Sequence, residues 1–327
     1  MSDYIIIGGG SAGCVLASRL TEDPNVQVTL LEAGPADSSV LLHCPGGLAL
    51  LAKTGQNNWK FETTPQPGLN GRKGYQPRGK VLGGSSSVNA MIYARGHQSD
   101  YDHWAEQGNP GWAWKDVLPY FKRAEHNERG GDDLHGTGGP LNVKDLTTPN
   151  RFGPVFVEAG KQAGYVANSD FNGPEQEGVG MYQVTHKNGE RCSAAKAYLT
   201  PHLSRPNLKV ITGAHATRIL MDGHRAVGVE YRQGSDTKTL KAGREVLLSA
   251  GAFLSPQLLM LSGIGPRAHL QEHGIPVVHD LPGDSPRLTA ASLGVVRVFV
   301  NGTVTVVDGV STGDLPGTVL RGPCTDA

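Results

Sequence analysis

Residues 4–34 read YIIIGGGSAGCVLASRLTEDPNVQVTLLEAG. A short run of β-favouring residues, Tyr4–Ile7, leads into a glycine turn, and apolar residues at helical spacing follow as far as Leu20. A second β-like run, Val26–Leu31, closes the stretch. This order of strand, glycine turn, helix and strand predicts one βαβ unit of a dinucleotide-binding fold.

Three glycines of the turn suit different requirements of that fold. Gly8 permits the tight turn after the first strand, Gly10 leaves room for a pyrophosphate, and Gly13 lets the helix pack closely on the strand. Glu32 follows the second strand, where its carboxylate can accept hydrogen bonds from the ribose hydroxyls of an adenosine. The pattern predicts a bound dinucleotide and leaves open whether it is FAD or NAD.

Composition narrows the class of protein. The chain has 327 residues, 38% of them hydrophobic, and its 30 basic and 30 acidic residues balance to a net charge of zero. This balance argues against binding to nucleic acid or to an anionic membrane through net positive charge. With no signal peptide or membrane span in the sequence, we expect a cytoplasmic protein. The 12 histidines show no H-E-x-x-H or similar spacing, so we predict no metal site.

A second glycine-rich segment, residues 77–96, reads PRGKVLGGSSSVNAMIYARG. Its paired glycines and three serines could form another backbone cradle, although composition alone favours an ordinary surface loop. The segment resembles the first signature of the glucose–methanol–choline (GMC) oxidoreductases, which are FAD-dependent alcohol dehydrogenases and oxidases. Further agreement follows in order at HQSDYDHW (97–104), NPGWAW (109–114), VLPYFK (117–122), HGTGGPL (135–141), RCSAAKAYL (191–199) and GAFLSPQLLMLSGIG (251–265). The resemblance covers residues 1–283 and is strongest to the choline-dehydrogenase-like branch.

The resemblance implies FAD as the cofactor and gives matched residues their roles. Its ADP part would lie against Gly8, Gly10, Ser11, Ala12, Gly13, Glu32 and Ala33. The flavin and its ribityl chain would lie beside Val81, Gly83, Ser87, Asn89, Ala90 and Met91, and the backbone of Ala216 would contact the adenine end. Some family members attach FAD covalently through a histidine in this region. Here Val88 takes the equivalent place and has no nucleophile, so we predict non-covalent FAD.

The family chemistry is hydride transfer from the carbon of an alcohol to flavin N5, with a base accepting the hydroxyl proton. In the family that base is a histidine, paired with a second histidine or an asparagine, and both lie in the C-terminal part of the protein. We find no segment of this sequence that resembles that part. We therefore assign no catalytic residue and expect a truncated, impaired alcohol oxidoreductase that would use a small alcohol and an electron acceptor. The alternatives are a non-catalytic flavin-binding fragment and a chimeric product.

These patterns predict an α/β protein with a Rossmann-like FAD/NAD(P)-binding fold, a mainly parallel sheet and an incomplete substrate domain. Strands are expected near residues 4–7, 26–31, 208–211 and 245–248. We divide the chain into a GMC-type FAD-binding domain (1–283, with flavin-covering loops and part of the substrate region in 36–205) and an out-of-family tail (284–327). Residues 295–309 read strand, Asn-Gly turn, strand, which predicts a β-hairpin. This tail resembles the last strands of D-aminoacylase-type amidohydrolases.

Overall fold

A computed structural model describes residues 2–281, 297–300, 303–307 and 310–311. The chain divides into two compact units, Met1–Leu281 and Pro282–Ala327. Among the described residues no helix has the length and apolar character needed to cross a membrane.

The first unit contains eight α-helices among its described residues, and most of them are short. They are α1 (Ser11–Leu20), α2 (Val40–His43), α3 (Leu48–Thr54), α4 (Gln98–Glu106), α5 (Trp114–Ala124), α6 (Phe152–Gln162), α7 (Gly251–Leu261) and α8 (Arg267–Glu272). Its strands are β1 (Ser2–Ile7), β2 (Val28–Leu31), β3 (Phe61–Glu62), β4 (Tyr75–Gln76), β5 (Glu125–Asn127), β6 (Leu141–Val143), β7 (His186–Lys187), β8 (Glu190–Arg191), β9 (Leu208–Ile211), β10 (Ala214–Asp222), β11 (Arg225–Gln233), β12 (Asp236–Leu248), β13 (Ile264–Gly265) and β14 (His279–Asp280).

The central sheet has six strands in the order β10-β11-β12-β1-β2-β9. Strands β12, β1, β2 and β9 pair in parallel, and Ile7 lies between Leu248 and Leu31 in the register. Strands β10, β11 and β12 form an antiparallel meander, so the long β12 belongs to both parts. The predicted α/β fold with a mainly parallel sheet is confirmed, and all four predicted strands lie in its parallel part.

Both faces of the parallel sheet are buried, as the continuous apolar runs require. Ile6 points to one face and packs in a cluster with Cys14 and Ala17 of α1. Ile5 and Ile7 point to the other face, into a cluster with Leu258 of α7. The period-2 alternation of strand β1 therefore places α1 and α7 on opposite sides of the sheet, next to the turn that follows it.

A buried ionic network, defined here as Arg95, Glu125, His135 and Asp170, lies outside the sheet. The Arg95 guanidinium is 2.7 Å from the Glu125 carboxylate, and both side chains are almost fully buried. His135 lies 3.0 Å from Glu125 through Nδ1 and 2.9 Å from Asp170 through Nε2. Burial alone would raise the pKa of Glu125, but hydrogen bonds from His135 and the Gly136 amide, with the charge of Arg95, lower it overall. The hydrogen bond to Glu125 raises the pKa of His135.

The second unit is described only through its strands, β15 (Arg297–Val300), β16 (Thr303–Val307) and β17 (Val310–Ser311). β15 and β16 pair antiparallel, and β16 pairs antiparallel with β17. This pairing confirms the predicted hairpin, while its Asn301-Gly302 turn lies outside the described residues.

Candidate functional site

The glycine turn between β1 and α1 is shaped by backbone contacts that no side chain would permit. Gly8 has a φ of +98°, and a Cβ there would lie 2.6 Å from the carbonyl oxygen of Ser249. A Cβ on Gly13 would overlap the carbonyl oxygen of Gly8. Gly10 is different, since the nearest atom to its Cβ would be the Gly84 Cα at 3.9 Å. The space above Gly10 is therefore open for a ligand to approach the backbone.

Glu32 follows β2 directly and is buried beside this turn. Its Oε2 accepts a hydrogen bond from the Gly9 amide at 2.9 Å, and its Oε1 accepts one from the Gly34 amide at 2.7 Å. Burial raises the pKa of Glu32 to about 6, and these backbone hydrogen bonds offset only part of that effect. The carboxylate thus stiffens the turn and keeps lone pairs for a hydroxyl of a ligand.

A cavity of about 500 Å³ opens between the glycine turn, the end of β2 and the start of α7. Its size is in the range of small-molecule and cofactor sites. Of the residues predicted for cofactor binding, those lining it are Gly8, Gly10, Ser11, Ala12, Glu32, Ala33 and Ala216. Gly79, Gly84 and Ser85 of the second glycine segment line it too, as do residues 251–255. The structure therefore brings both glycine segments and the 251–265 stretch to one place.

The remaining predicted residues lie outside the lining of this cavity. Gly13 packs α1 against the turn, and the amide of Gly83 donates a hydrogen bond to the carbonyl of Gly9 at 2.7 Å, which joins the two glycine segments. Val81 and Ser87 are buried, Ala90 is exposed, and Met91 adopts a left-handed φ of 63° while its amide donates to Asn89 Oδ1. The part of the loop from Val81 to Met91 that follows Ser85 thus runs beyond the cavity.

Aromatic rings form one wall of the cavity, which sequence reasoning missed. Trp59 meets His215 edge to face at 5.4 Å, and the Lys80 ammonium lies 4.4 Å from the Trp59 ring centre. The Arg78 guanidinium lies 4.3 Å from the ring centre of Phe253. Burial lowers the pKa of His215, which favours its neutral form. Trp59 carries no sequence signal, because its surroundings lack periodicity. Arg78 and Phe253 lie in the quoted segments 77–96 and 251–265, and His215 adjoins the predicted contact residue Ala216.

Arg191 is a buried cation beneath the Val81–Met91 loop. Its Nε donates to the Leu42 carbonyl at 2.8 Å, and its Nη1 donates to the Asn89 carbonyl at 2.7 Å and to Asn89 Oδ1 at 2.8 Å. A longer contact of 3.2 Å reaches the Ser86 carbonyl. Nη2 has no hydrogen-bond partner among the described residues, and burial lowers the pKa of Arg191 to about 10. The guanidinium therefore ties α2 to the loop through backbone oxygens.

One group of potential metal ligands follows a spacing that the prediction of no metal site did not include. His269, Glu272 and His273 follow the order H-x-x-E-H, and their potential ligand atoms all lie within 4.8 Å of one another. In this order the acid adjoins the second histidine, whereas in H-E-x-x-H it adjoins the first.

Two proteins are similar in sequence to most of this chain. The alcohol dehydrogenase [acceptor] of Pseudomonas putida is 54% identical over 286 residues, which are 86% of this chain and 52% of that protein. The oxygen-dependent choline dehydrogenase of Brucella anthropi is 49% identical over 282 residues, with 86% and 51% covered. The chain thus spans about half the length of the curated relatives it matches.

Solved structures with similar sequences share the fold of this chain. Pyridoxine 4-oxidase from Mesorbium loti superposes with a TM-score of 0.82 at 36% identity, covering 86% of this chain and 56% of that one. An FAD-dependent oxidoreductase from Chaetomium thermophilum gives a TM-score of 0.81 at 34% identity, covering 86% and 51%. The family model described as GMC oxidoreductase matches residues 2–284. The chain belongs to the GMC oxidoreductase family.

Proposed function

We propose that residues 1–283 bind FAD non-covalently and form the cofactor-binding domain of an oxidoreductase that acts on the CH–OH group of small alcohols. The observation that carries this proposal is the open space above Gly10, framed by a helix N-terminus and by Glu32. Backbone N–H groups at the start of α1 and the helix dipole favour a pyrophosphate there. When bound, FAD would supply the hydride acceptor for oxidation of an alcohol.

The residues divide by the part of the cofactor that each would hold. Gly8, Gly10, Ser11 and Ala12 would face the pyrophosphate, with Gly13 letting the start of α1 pack close to it. Glu32 and Ala33 would face the ribose. Ala216 lies beside them because the Ala214 amide donates to the Glu32 carbonyl at 2.8 Å, and its backbone would meet the adenine end. We propose that the Val81–Met91 loop, joined to the turn by Gly83, runs beside the flavin. Val88 offers no atom for a covalent link.

The alcohol substrate and its oxidation are proposed separately from FAD binding. The names of the relatives describe whole proteins of which this chain matches about half. We assign no catalytic base within residues 1–283, and we therefore expect this chain by itself to hold FAD but to turn over alcohols slowly or not at all. The substrate class proposed for the whole protein is small alcohols of the choline or aliphatic type, with a separate electron acceptor.

The test is purification of the chain with added FAD, followed by absorption spectroscopy. A bound flavin spectrum is expected, and acid or heat denaturation should release the flavin into the supernatant. Flavin that stays with the precipitated protein would contradict non-covalent binding, and a colourless protein whose melting temperature FAD does not raise would contradict the cofactor proposal. Anaerobic bleaching by choline and by a panel of simple alcohols then measures oxidation separately from binding.

A further inference from the structure

The end of helix α8 carries three metal-ligating side chains on one face. Residues 269–273 read HLQEH, so His269, Glu272 and His273 occupy positions i, i+3 and i+4, which are neighbours on a helix surface. All are exposed, and their ligand atoms lie within 4.8 Å of one another. We propose that they bind one divalent transition-metal ion of the zinc, nickel and copper class. The proposal is independent of FAD binding.

The side chains are close to the geometry that such an ion requires. Zinc binds imidazole nitrogen at about 2.0–2.1 Å, and in a tetrahedral site two ligand atoms are therefore roughly 3.4 Å apart. The His269 and His273 ring centres lie 4.7 Å apart at 82°, and His269 Nδ1 lies 3.9 Å from Glu272 Oε2. Small rotations of exposed side chains close the remaining gap, and such rotations are fast.

The backbone beneath the three side chains is already fixed. Leu270 is fully buried and anchors the helix. At its start, the Arg267 amide donates to Asp280 Oδ1 at 2.9 Å, and Arg267 Nε lies 3.0 Å from Asp280 Oδ2. At its end, the Ile275 amide donates to the Leu270 carbonyl at 2.9 Å. Because the helix is ordered before an ion arrives, binding has to order side chains only.

The donor set selects the class of ion. Two imidazoles and one carboxylate suit zinc, nickel and copper, whereas magnesium and calcium prefer all-oxygen sites. Three protein ligands on an exposed turn leave the remaining coordination positions to water. Across the residues that the structure describes, this is the one group of three histidine, cysteine or acidic side chains with converging ligand atoms.

Helix α4 supplies a natural comparison. Residues 103–107 read HWAEQ, with His103 Nδ1 3.6 Å from Glu106 Oε2. The next position holds Gln107, whose amide nitrogen is 2.9 Å from His103 Nε2. This turn has a histidine and a glutamate at the same spacing as the proposed site, but a glutamine in place of the second histidine. A side-chain amide is a poor ligand for these ions. The turn should therefore bind no ion in the wild-type protein.

The experiment titrates the full chain with Zn²⁺ or Ni²⁺ at pH 7.5 by isothermal calorimetry, in buffer without chelators. Wild type should bind one equivalent, and Mg²⁺ should give no heat. His269→Gln and His273→Gln should each weaken binding by about tenfold or more. Gln107→His completes the second turn and should add another equivalent. Circular dichroism checks that each variant is folded, which is expected because every changed side chain is exposed.

Each outcome decides the proposal. Tenfold or greater loss in both histidine variants, with a second equivalent in Gln107→His, supports it. Wild-type affinity in His273→Gln, or absence of binding to the wild type, overturns the site. A tenfold loss in both histidine variants supports the α8 site even where Gln107→His adds no second equivalent.

Discussion

Gly10 and Gly13 lie three positions apart in one turn, yet their surroundings predict opposite consequences for the same substitution. In Gly10→Ala the new methyl group enters the space proposed for the pyrophosphate. We expect FAD affinity to fall by about tenfold or more, equivalent to about 1.4 kcal/mol, while the melting temperature without FAD stays near that of the wild type. Fluorescence titration with FAD and thermal unfolding measure the two effects.

Gly13→Ala is the matched variant. Its methyl group would overlap the Gly8 carbonyl, so α1 must move away from β1 and the free energy of unfolding should fall by about 1–3 kcal/mol. Equal losses of stability in the two variants would contradict the separate roles given to the two glycines.

Glu32 makes the stability of the protein depend on pH. Its pKa is raised from about 4.5 to about 6, so the folded state binds the proton more tightly than the unfolded chain. Its stabilising contribution is complete below pH 4.5 and is lost as the pH rises through 6. Relative to Glu32→Gln, the wild type should lose about 1.6 kcal/mol of unfolding free energy between pH 4.5 and 7.5. Urea denaturation at both pH values tests this, and a pH-independent difference would contradict it.

At the level of single residues, the sequence predicted the glycines of the turn better than it predicted the side-chain contacts around them. Gly8 and Gly13 could be predicted because their steric demands follow from the order of strand, turn and helix. Trp59 could not, because its own surroundings carry no periodic signal and its contact with His215 joins segments far apart in the sequence. The sequence predicted that Glu32 lies at the site, but its hydrogen bonds with the Gly9 and Gly34 amides could not be predicted from sequence spacing.

Among the elements, the Val81–Met91 loop depends on a single side chain from β8. Arg191 holds the carbonyls of Leu42 and Asn89, and no carboxylate is among its hydrogen-bond partners in the described residues. In Arg191→Met these buried acceptors lose their donors. We expect about 3 kcal/mol less unfolding free energy and weaker FAD binding.

Arg191→Lys separates charge from geometry. One ammonium cannot reach the oxygens of both Leu42 and Asn89 as the branched guanidinium does, so lysine should recover only part of the lost stability. Arg72→Met is the control, because Arg72 also donates to a carbonyl, that of Leu69, but is exposed and should change stability by less than about 0.5 kcal/mol. Urea denaturation compares the three, and full recovery by lysine would show that charge alone is sufficient.

The elements themselves show where sequence patterns were sufficient. The four parallel strands were predicted because each is a short apolar run, although β2 begins at Val28 rather than Val26. Strands β10, β11 and β12 pair with their neighbours in sequence, but the pairing of β12 with β1 joins residues far apart in the chain, and apolar runs do not specify their partners. The anchoring role of Arg191 was likewise hidden, since its acceptors are backbone oxygens that no sequence pattern marks.

Considered as a whole, the described part of the first unit combines a sheet stabilised by apolar packing with a region stabilised by buried polar groups. The sheet follows from hydrophobic patterns, and the sequence could therefore predict it. The region around β5 depends on charged residues distant in sequence, such as Arg95 and Asp170. Glu125 and His135 join them, and no local pattern signals these contacts. The two parts should respond differently to the removal of charge.

Glu125→Gln tests that difference in the buried ionic network. The substitution keeps the size of the side chain but leaves the almost fully buried Arg95 without its anionic partner at 2.7 Å. Breaking a buried pair in this way is strongly destabilising, and we expect a loss of about 3–5 kcal/mol in the free energy of unfolding. Glu158→Gln is the matched control, because its pair with Lys161, also at 2.7 Å, lies half exposed on α6 and should contribute little to stability. Urea denaturation at pH 7 measures both, and similar losses in the two variants would mean that burial does not set the strength of the Arg95–Glu125 pair.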